Sequence, residues 1–310
     1  MLLNSINVND LVPIILLVIS VVLFLLILYI SIGMLNLKKY FRYKRMTEEE
    51  IIIYDEQEKG FKREWLDIPY DEMWEDSDFG YKIFARLYMN EKKTNKYIIA
   101  LHGYTSAGIT MLTYMNEFRA LGYNVVIPDN RYCGKSGGEY ASFGYFEKFD
   151  LLKWIKRIRE IDENAEIGLF GVSLGAATVL MASEYDEKIK YVIAYCGYAN
   201  FKNILLTFIK NSKLLYNLII PSLNMGASIM FGIKLKDIRA DLALKNTKMP
   251  TLLLHSKEDA VVVYKNAEIL KSCRDDVKLV TFEKGQHARS IIVNHDVFMA
   301  EVKEFLEKNG

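Results

Sequence analysis

The pattern of apolar and polar positions divides this chain into two unequal parts. From residue 11 to residue 37 no charged side chain occurs, and leucine, isoleucine and valine dominate. As a helix that run would reach roughly 40 Å, more than the roughly 30 Å hydrocarbon core of a bilayer requires. It is too long for the apolar stretch of a signal peptide, no Lys or Arg precedes it, and no small-residue cleavage site follows. All three features favour a membrane anchor at 11–37. Lys38, Lys39, Arg42, Lys44 and Arg45 follow directly, whereas the tail at 1–10 carries Asp10 and no cation. The positive-inside rule then places everything after the span in the cytoplasm, as in a single-pass protein of the cell membrane. Tyr40, Phe41 and Tyr43 are expected at headgroup level.

After a basic juxtamembrane linker at 38–60, the pattern changes. The stretches 64–69 and 81–87 alternate between apolar and polar positions, as half-buried antiparallel strands do. A continuous apolar run at 97–101 reads as a buried strand. Then a rhythm sets in: helix at 110–121, strand at 124–128, helix at 146–161, strand at 166–170. Leu151, Leu152, Ile155 and Ile158 fall on one helical face, which suits a helix lying on a sheet. Further strands are expected at 191–195, 251–255 and 278–282, and a last helix opens at His295 with Phe298, Val302, Phe305 and Leu306 on its apolar side. Alternation of this kind predicts an α/β fold over 61–310, with a mostly parallel central sheet covered by helices on both faces. In such sheets chemistry gathers at the carboxyl ends of the strands.

The stretch between the strands at 191–195 and 251–255 is too long for a simple crossover. Residues 201–248 are rich in Leu, Ile, Phe and Met, and Pro221 and Gly226 predict a break into two helices. The expected element is a helical cap whose inner face forms an apolar acyl pocket. Lys210, Lys213 and Lys234 speak against a second span here.

Charge changes the picture little. Lys and Arg number 40 and Asp and Glu 39, so no overall field points to nucleic acid. Cys133, Cys196 and Cys273 are odd in number and widely spaced, without disulfide or metal-ligand spacing.

The chemistry is concentrated at Gly171-Val172-Ser173-Leu174-Gly175, between the apolar run ending at Phe170 and a helix-prone stretch beginning at Ala176. A strand, a turn too tight for side chains at Gly171 and Gly175, and a helix together make a nucleophile elbow, with Ser173 at its exposed apex. A serine hydroxyl needs a base, and the base an orienting acid. Of the four histidines, His102 and His255 end strands in apolar contexts and are expected to fix loops. His295 reads as a residue of a helix N-terminus. His287, in a glycine-containing loop after the last strand, is placed to reach over the sheet. For the acid, Asp259 precedes the apolar residues that tie its loop to the body and is favoured over the solvated Glu258. Oxyanion donors are expected from the backbone of Leu174 and, after Gly103, of Tyr104.

With these residues in place, the chain from about Trp65 onward resembles the α/β-hydrolases, in particular the bacterial serine-aminopeptidase-like (S33-like) and monoacylglycerol-lipase-like group. His102-Gly103, the elbow, the acid loop and the histidine loop carry the likeness, as does Asp129-Asn130-Arg131-Tyr132-Cys133-Gly134. There the group usually has Asp-x-Arg-Gly-His-Gly, so Tyr132 and Cys133 depart from it; Ser256 and Lys257 depart in the acid loop. The resemblance implies a serine hydrolase acting through Ser173, His287 and Asp259, with no metal and no organic cofactor. A lipid-derived or other small acyl ester is the expected substrate. A peptidase, a thioesterase or acyltransferase, and a non-enzymatic tethered scaffold are the alternatives.

Overall fold

The computed structural model describes residues 8–210 and 212–310. Eight strands form one sheet: β1 (Asp71–Asp76), β2 (Lys82–Tyr88), β3 (Lys96–Leu101), β4 (Asn124–Pro128), β5 (Glu166–Val172), β6 (Val192–Tyr195), β7 (Thr251–Ser256) and β8 (Lys278–Phe282). Their spatial order is β1-β2-β4-β3-β5-β6-β7-β8. β1 pairs antiparallel with β2 and β2 with β4, and every later pairing is parallel. The reversal of order at β3 and β4 opens a crevice at the carboxyl edge, where ligands bind in open α/β sheets.

The helices, in chain order, are α1 (Val8–Phe41), α2 (Glu48–Lys59), α3 (Leu112–Ala120), α4 (Glu147–Ile161), α5 (Leu174–Ser183), α6 (Phe201–Phe208), α7 (Lys213–Phe231), α8 (Ala240–Asn246), α9 (Lys265–Lys271), α10 (Ser290–Val293) and α11 (His295–Asn309). Two cores lie on the two faces of the sheet. One gathers the inner faces of α4 and α5 with α6–α8; the other gathers α2, α3 and α11. Trp154, Ile155 and Ile158 of α4 are fully buried, as their spacing on one helical face requires.

Several expectations are corrected. The strand expected at 64–69 is a 3-10 turn, Arg63–Asp67. Arg63 is drawn to Glu49 and Glu56 of α2, and Trp65 packs edge-on against Phe61, which curls the chain there. The tail expected at 1–10 lies outside the described residues up to residue 7, and from Val8 the chain is helical. The stretch 38–60, expected as a basic juxtamembrane linker, is largely helical. α1 continues to Phe41, whose ring is fully buried against Phe143 and Phe231. The next element, α2, begins at a capping box between Thr47 and Glu50 and ends on Gly60 in the left-handed region. Its Ile51 and Ile52 are buried in the second core.

The insertion also differs from expectation. Pro221 and Gly226 lie inside one helix of 19 residues, α7, and the break falls before Lys213. Gly226 is needed for close approach, since a Cβ there would come within 3.1–3.2 Å of Met34 and Leu37 of α1. Like α1, α7 is long and apolar enough to cross a membrane by length and composition. Lys210 and Lys213 precede its uncharged run and Lys234 follows it, so they do not interrupt it.

Candidate active site

The site is built at the carboxyl edge of β3, β5, β6, β7 and β8. β5 runs up to Val172, and Ser173 makes the turn into α5 at φ 58° and ψ −113°, a conformation that a residue with a side chain adopts only when its surroundings force it. The forcing is visible. A Cβ on Gly171 would lie 2.3 Å from the Gly175 carbonyl oxygen, and one on Gly175 would lie 2.2 Å from that of Leu101. Only glycines let strand, turn and helix come this close.

At the apex, the Ser173 hydroxyl lies 2.9 Å from His287 Nε2, and His287 Nδ1 lies 2.7 Å from Asp259 Oδ2. β8 and the left-handed residue Gly285 deliver His287, and β7 delivers Asp259. The other carboxylate oxygen of Asp259 accepts the backbone N–H groups of Val261 and Val262, so the apolar residues after it do turn the side chain inward. Burial would raise the pKa of Asp259, but its contacts with His255 and His287 outweigh that and hold the carboxyl down at about 2. For His287, burial disfavours the imidazolium, whereas the sulfur of Cys196 and the carboxylate of Asp259 favour it, and the net direction is upward from the ordinary histidine range. Leu174 is the first residue of α5, where backbone N–H groups have no partner within the helix. Gly103 brings the loop after β3 against the serine, a Cβ there lying 3.4 Å from that of Ser173. Tyr104 follows it, and its hydroxyl donates to the Tyr40 carbonyl at 2.5 Å while its ring stacks on Phe143.

The remaining histidines are occupied elsewhere. His102 is fully buried, donates from Nδ1 to the Gly103 carbonyl and accepts the Asn130 N–H on Nε2. Burial holds it below the usual histidine range. His255 donates from Nε2 to the Val262 carbonyl at 2.7 Å and stands 3.5 Å from Asp259, bracing the acid loop. His295 meets Glu117 on the surface. Glu258 is exposed as expected, yet its carboxylate accepts the Gly285 N–H and so links the acid loop to the histidine loop.

The motif from Asp129 to Gly134 braces the site from behind. Asp129 accepts the N–H groups of Gly108 and Lys135, and Arg131 pairs with Asp150 at 3.0 Å beneath the rings of Phe79, Tyr81 and Phe146. Tyr132 and Cys133, the departures noted in the sequence, face the segment after α1. Tyr132 donates to the Tyr43 carbonyl, and the Cys133 sulfur lies 3.0 Å from the Tyr43 hydroxyl.

Ser173 and His287 open onto a cavity of about 700 Å³. Its outer wall comes from α2, through Ile51, Tyr54, Asp55 and Lys59, with Met46 beside them. Among the described residues none of 201–248 lines it, so the insertion does not supply the pocket face expected of it. The inner face of α7 is taken up by α1 instead. The part played by α2, and the nearness of Cys196 to His287, were not foreseen. The Thr47-x-x-Glu50 capping pattern ahead of three isoleucines was the available signal for α2; the approach of Cys196 had none.

Residues 96–219 match the family model of the alpha/beta hydrolase fold. The uncharacterized protein YqkD of Bacillus subtilis (strain 168) is 29% identical over 236 residues, covering 74% of this chain and 77% of that one. The thiohydrolase aneE of Aspergillus aculeatus is 30% identical over 123 residues, 38% of each chain. The esterase Pf2001 of Pyrococcus furiosus superposes with a TM-score of 0.66 at 22% identity, covering 80% of this chain and 96% of the other. Strand order, crossovers and these likenesses agree, and the chain has the α/β-hydrolase fold.

Proposed function

We propose that this protein is a membrane-tethered serine hydrolase that cleaves lipid-derived or other medium-chain carboxylic esters. The observation that carries the reading is the unbroken line from Asp259 through His287 to Ser173, with links of 2.7 and 2.9 Å, ending at a strained apex that faces the cavity. In the proposed reaction His287 takes the proton of Ser173 as its oxygen attacks the ester carbonyl. Asp259 holds the imidazolium that forms. The backbone N–H groups of Leu174 and Tyr104 receive the oxyanion. His287 then passes the proton to the departing alcohol, and water hydrolyses the acyl-enzyme by the same steps.

The substrate class follows from the walls. Met46, Ile51, Val261, Ile291 and Ile292 present apolar surface to the cavity. Its acids are engaged: Asp55 with Lys59, and Glu258 with the Gly285 N–H. A peptide amine would therefore find no cluster of unpaired carboxylates, which disfavours the aminopeptidase reading. A thioester reading uses the same residues and gains support from the similarity to a thiohydrolase. Tethering through α1, with the domain in the cytoplasm, rests on its apolar length and on the basic residues that follow it.

The experiment is fluorophosphonate labelling of the full-length protein beside Ser173→Ala and His287→Ala, followed by a panel of oxygen esters and thioesters graded by chain length. Labelling that disappears in both variants supports the reading. A wild type that hydrolyses peptides and ignores acyl esters overturns it.

A further inference from the structure

We propose that α7 is a second lipid-contacting element, its first turns lying in the headgroup–acyl boundary where α1 leaves the bilayer, so that the hydrolase domain rests on the membrane in one fixed orientation. This depends on the reading of α1 as a membrane anchor.

The geometry comes from how the two helices pack. They run side by side in the same direction. The Tyr29 hydroxyl donates to the Leu218 carbonyl, Gly33 abuts the backbone of Ser222, Gly226 fits against Met34 and Leu37, and Phe41 stacks on Phe231. Small residues permit this approach, as they do between helices packed in lipid. Each contact keeps nearly the same offset along the chain, which places Leu214 level with Leu25. Meanwhile every residue of α1 from Leu11 to Tyr29 is exposed, about 28 Å of helix. A hydrocarbon core of roughly 30 Å therefore reaches the level of Tyr29, and the first turns of α7 lie on its inner side.

Those turns have the chemistry that depth requires. Leu214 is 73% exposed and Leu218 58%, and Pro221, Met225 and Ile229 continue the same outer face of α7 toward the domain. No charged residue occurs after Lys213 until Lys234. In water this stripe would be a large unpartnered apolar surface. In the boundary layer it continues the lipid-facing surface of α1. Lys210 and Lys213 stand at the tip of the α6–α7 hairpin, and Lys213 is about 7 Å deeper than Tyr29, a depth from which a lysine stem can reach lipid phosphates.

The test is photocrosslinking of the full-length chain in vesicles of phosphatidylcholine and phosphatidylglycerol. Benzoylphenylalanine replaces Leu214 or Leu218 on α7, Leu23 on α1, or the exposed Ile161 of α4. Lipid adducts at both α7 positions should approach the yield at Leu23 and exceed that at Ile161 by about tenfold, as expected for an apolar helix face in the boundary layer. Adducts at Leu23 but at neither α7 position overturn the proposal and leave the anchor standing. Adducts to a second copy of the chain at Leu214 and Leu218 overturn it in favour of a helix-paired dimer. No lipid adduct at Leu23 overturns the anchor itself.

Discussion

The Tyr43 hydroxyl meets the sulfur of Cys133 at 3.0 Å, joining the segment that follows α1 to the loop that braces the site. Around this contact the Tyr43 ring packs edge-on against Tyr104 and Tyr132, and two residues earlier Phe41 is fully buried. The end of α1 is thus part of the hydrolase core. Phe41→Ala should lower the stability of the detergent-solubilised protein by about 3–5 kcal/mol, the usual effect of removing a buried aromatic ring. Denaturant unfolding measures this, and a loss below 1 kcal/mol would show that the segment is only loosely docked.

The elbow makes a sharper demand. Gly175→Ala puts a methyl group 2.2 Å from the Leu101 carbonyl oxygen, which strand β3 cannot withdraw without breaking its pairing with β5. A cost of about 1–3 kcal/mol or more is expected, together with a displaced serine. Fluorophosphonate labelling should fall far more than the melting temperature, because labelling depends on the position of Ser173 itself.

The pH dependence follows from His287. The imidazole must be neutral to take the serine proton, and its environment holds its basicity above the ordinary value. The hydrolytic rate should therefore rise with pH, with its half-point above the roughly 6.5 of an unperturbed histidine. Replacing Cys196 with Ala removes one of the influences that raise it, so the half-point should move toward acid. A pH–rate profile with a half-point unmoved in Cys196→Ala would show that the sulfur has no electrostatic part. Asp259→Asn leaves the ring without its partner and should lower the rate by roughly four orders of magnitude.

How far the sequence announces all this depends on the range of the forces involved. The parallel strands, the elbow and the positions of Ser173, Asp259 and His287 are local signals, because strand runs, glycine spacing and strand-end loops are read within a few residues. The partner of an apolar helix is a different matter. The composition of α7 says that its inner face must be covered, and it does so equally well for an acyl pocket, a second copy or α1. Only the fold selects α1, through Gly33, Ser222 and Gly226. The same holds for α2. Its isoleucines are evident in the chain, but its place over the cavity depends on Arg86 pairing with Glu48 at 2.5 Å and on the ion pair between Glu58 and Arg289, contacts between segments far apart in sequence.

On the proposed ester reading, that placement makes α2 the expected determinant of chain length. Ile51 and Tyr54 line the cavity on the wall opposite the strand ends, and Ile51 is buried where its helix meets the body. Enlarging the exposed member of the pair disturbs the core least, so Tyr54→Trp should shorten the longest acyl chain accepted while leaving short esters unaffected. Removing the ring in Tyr54→Ala should do the reverse. Each methylene gained or lost from apolar contact is worth about 0.8 kcal/mol, near a fourfold change in kcat/KM per carbon. A series of p-nitrophenyl esters from acetate to decanoate reads the shift directly. If the two variants give the same chain-length profile as the wild type, the acyl chain does not run along α2 and lies instead toward Val261 and Ile292.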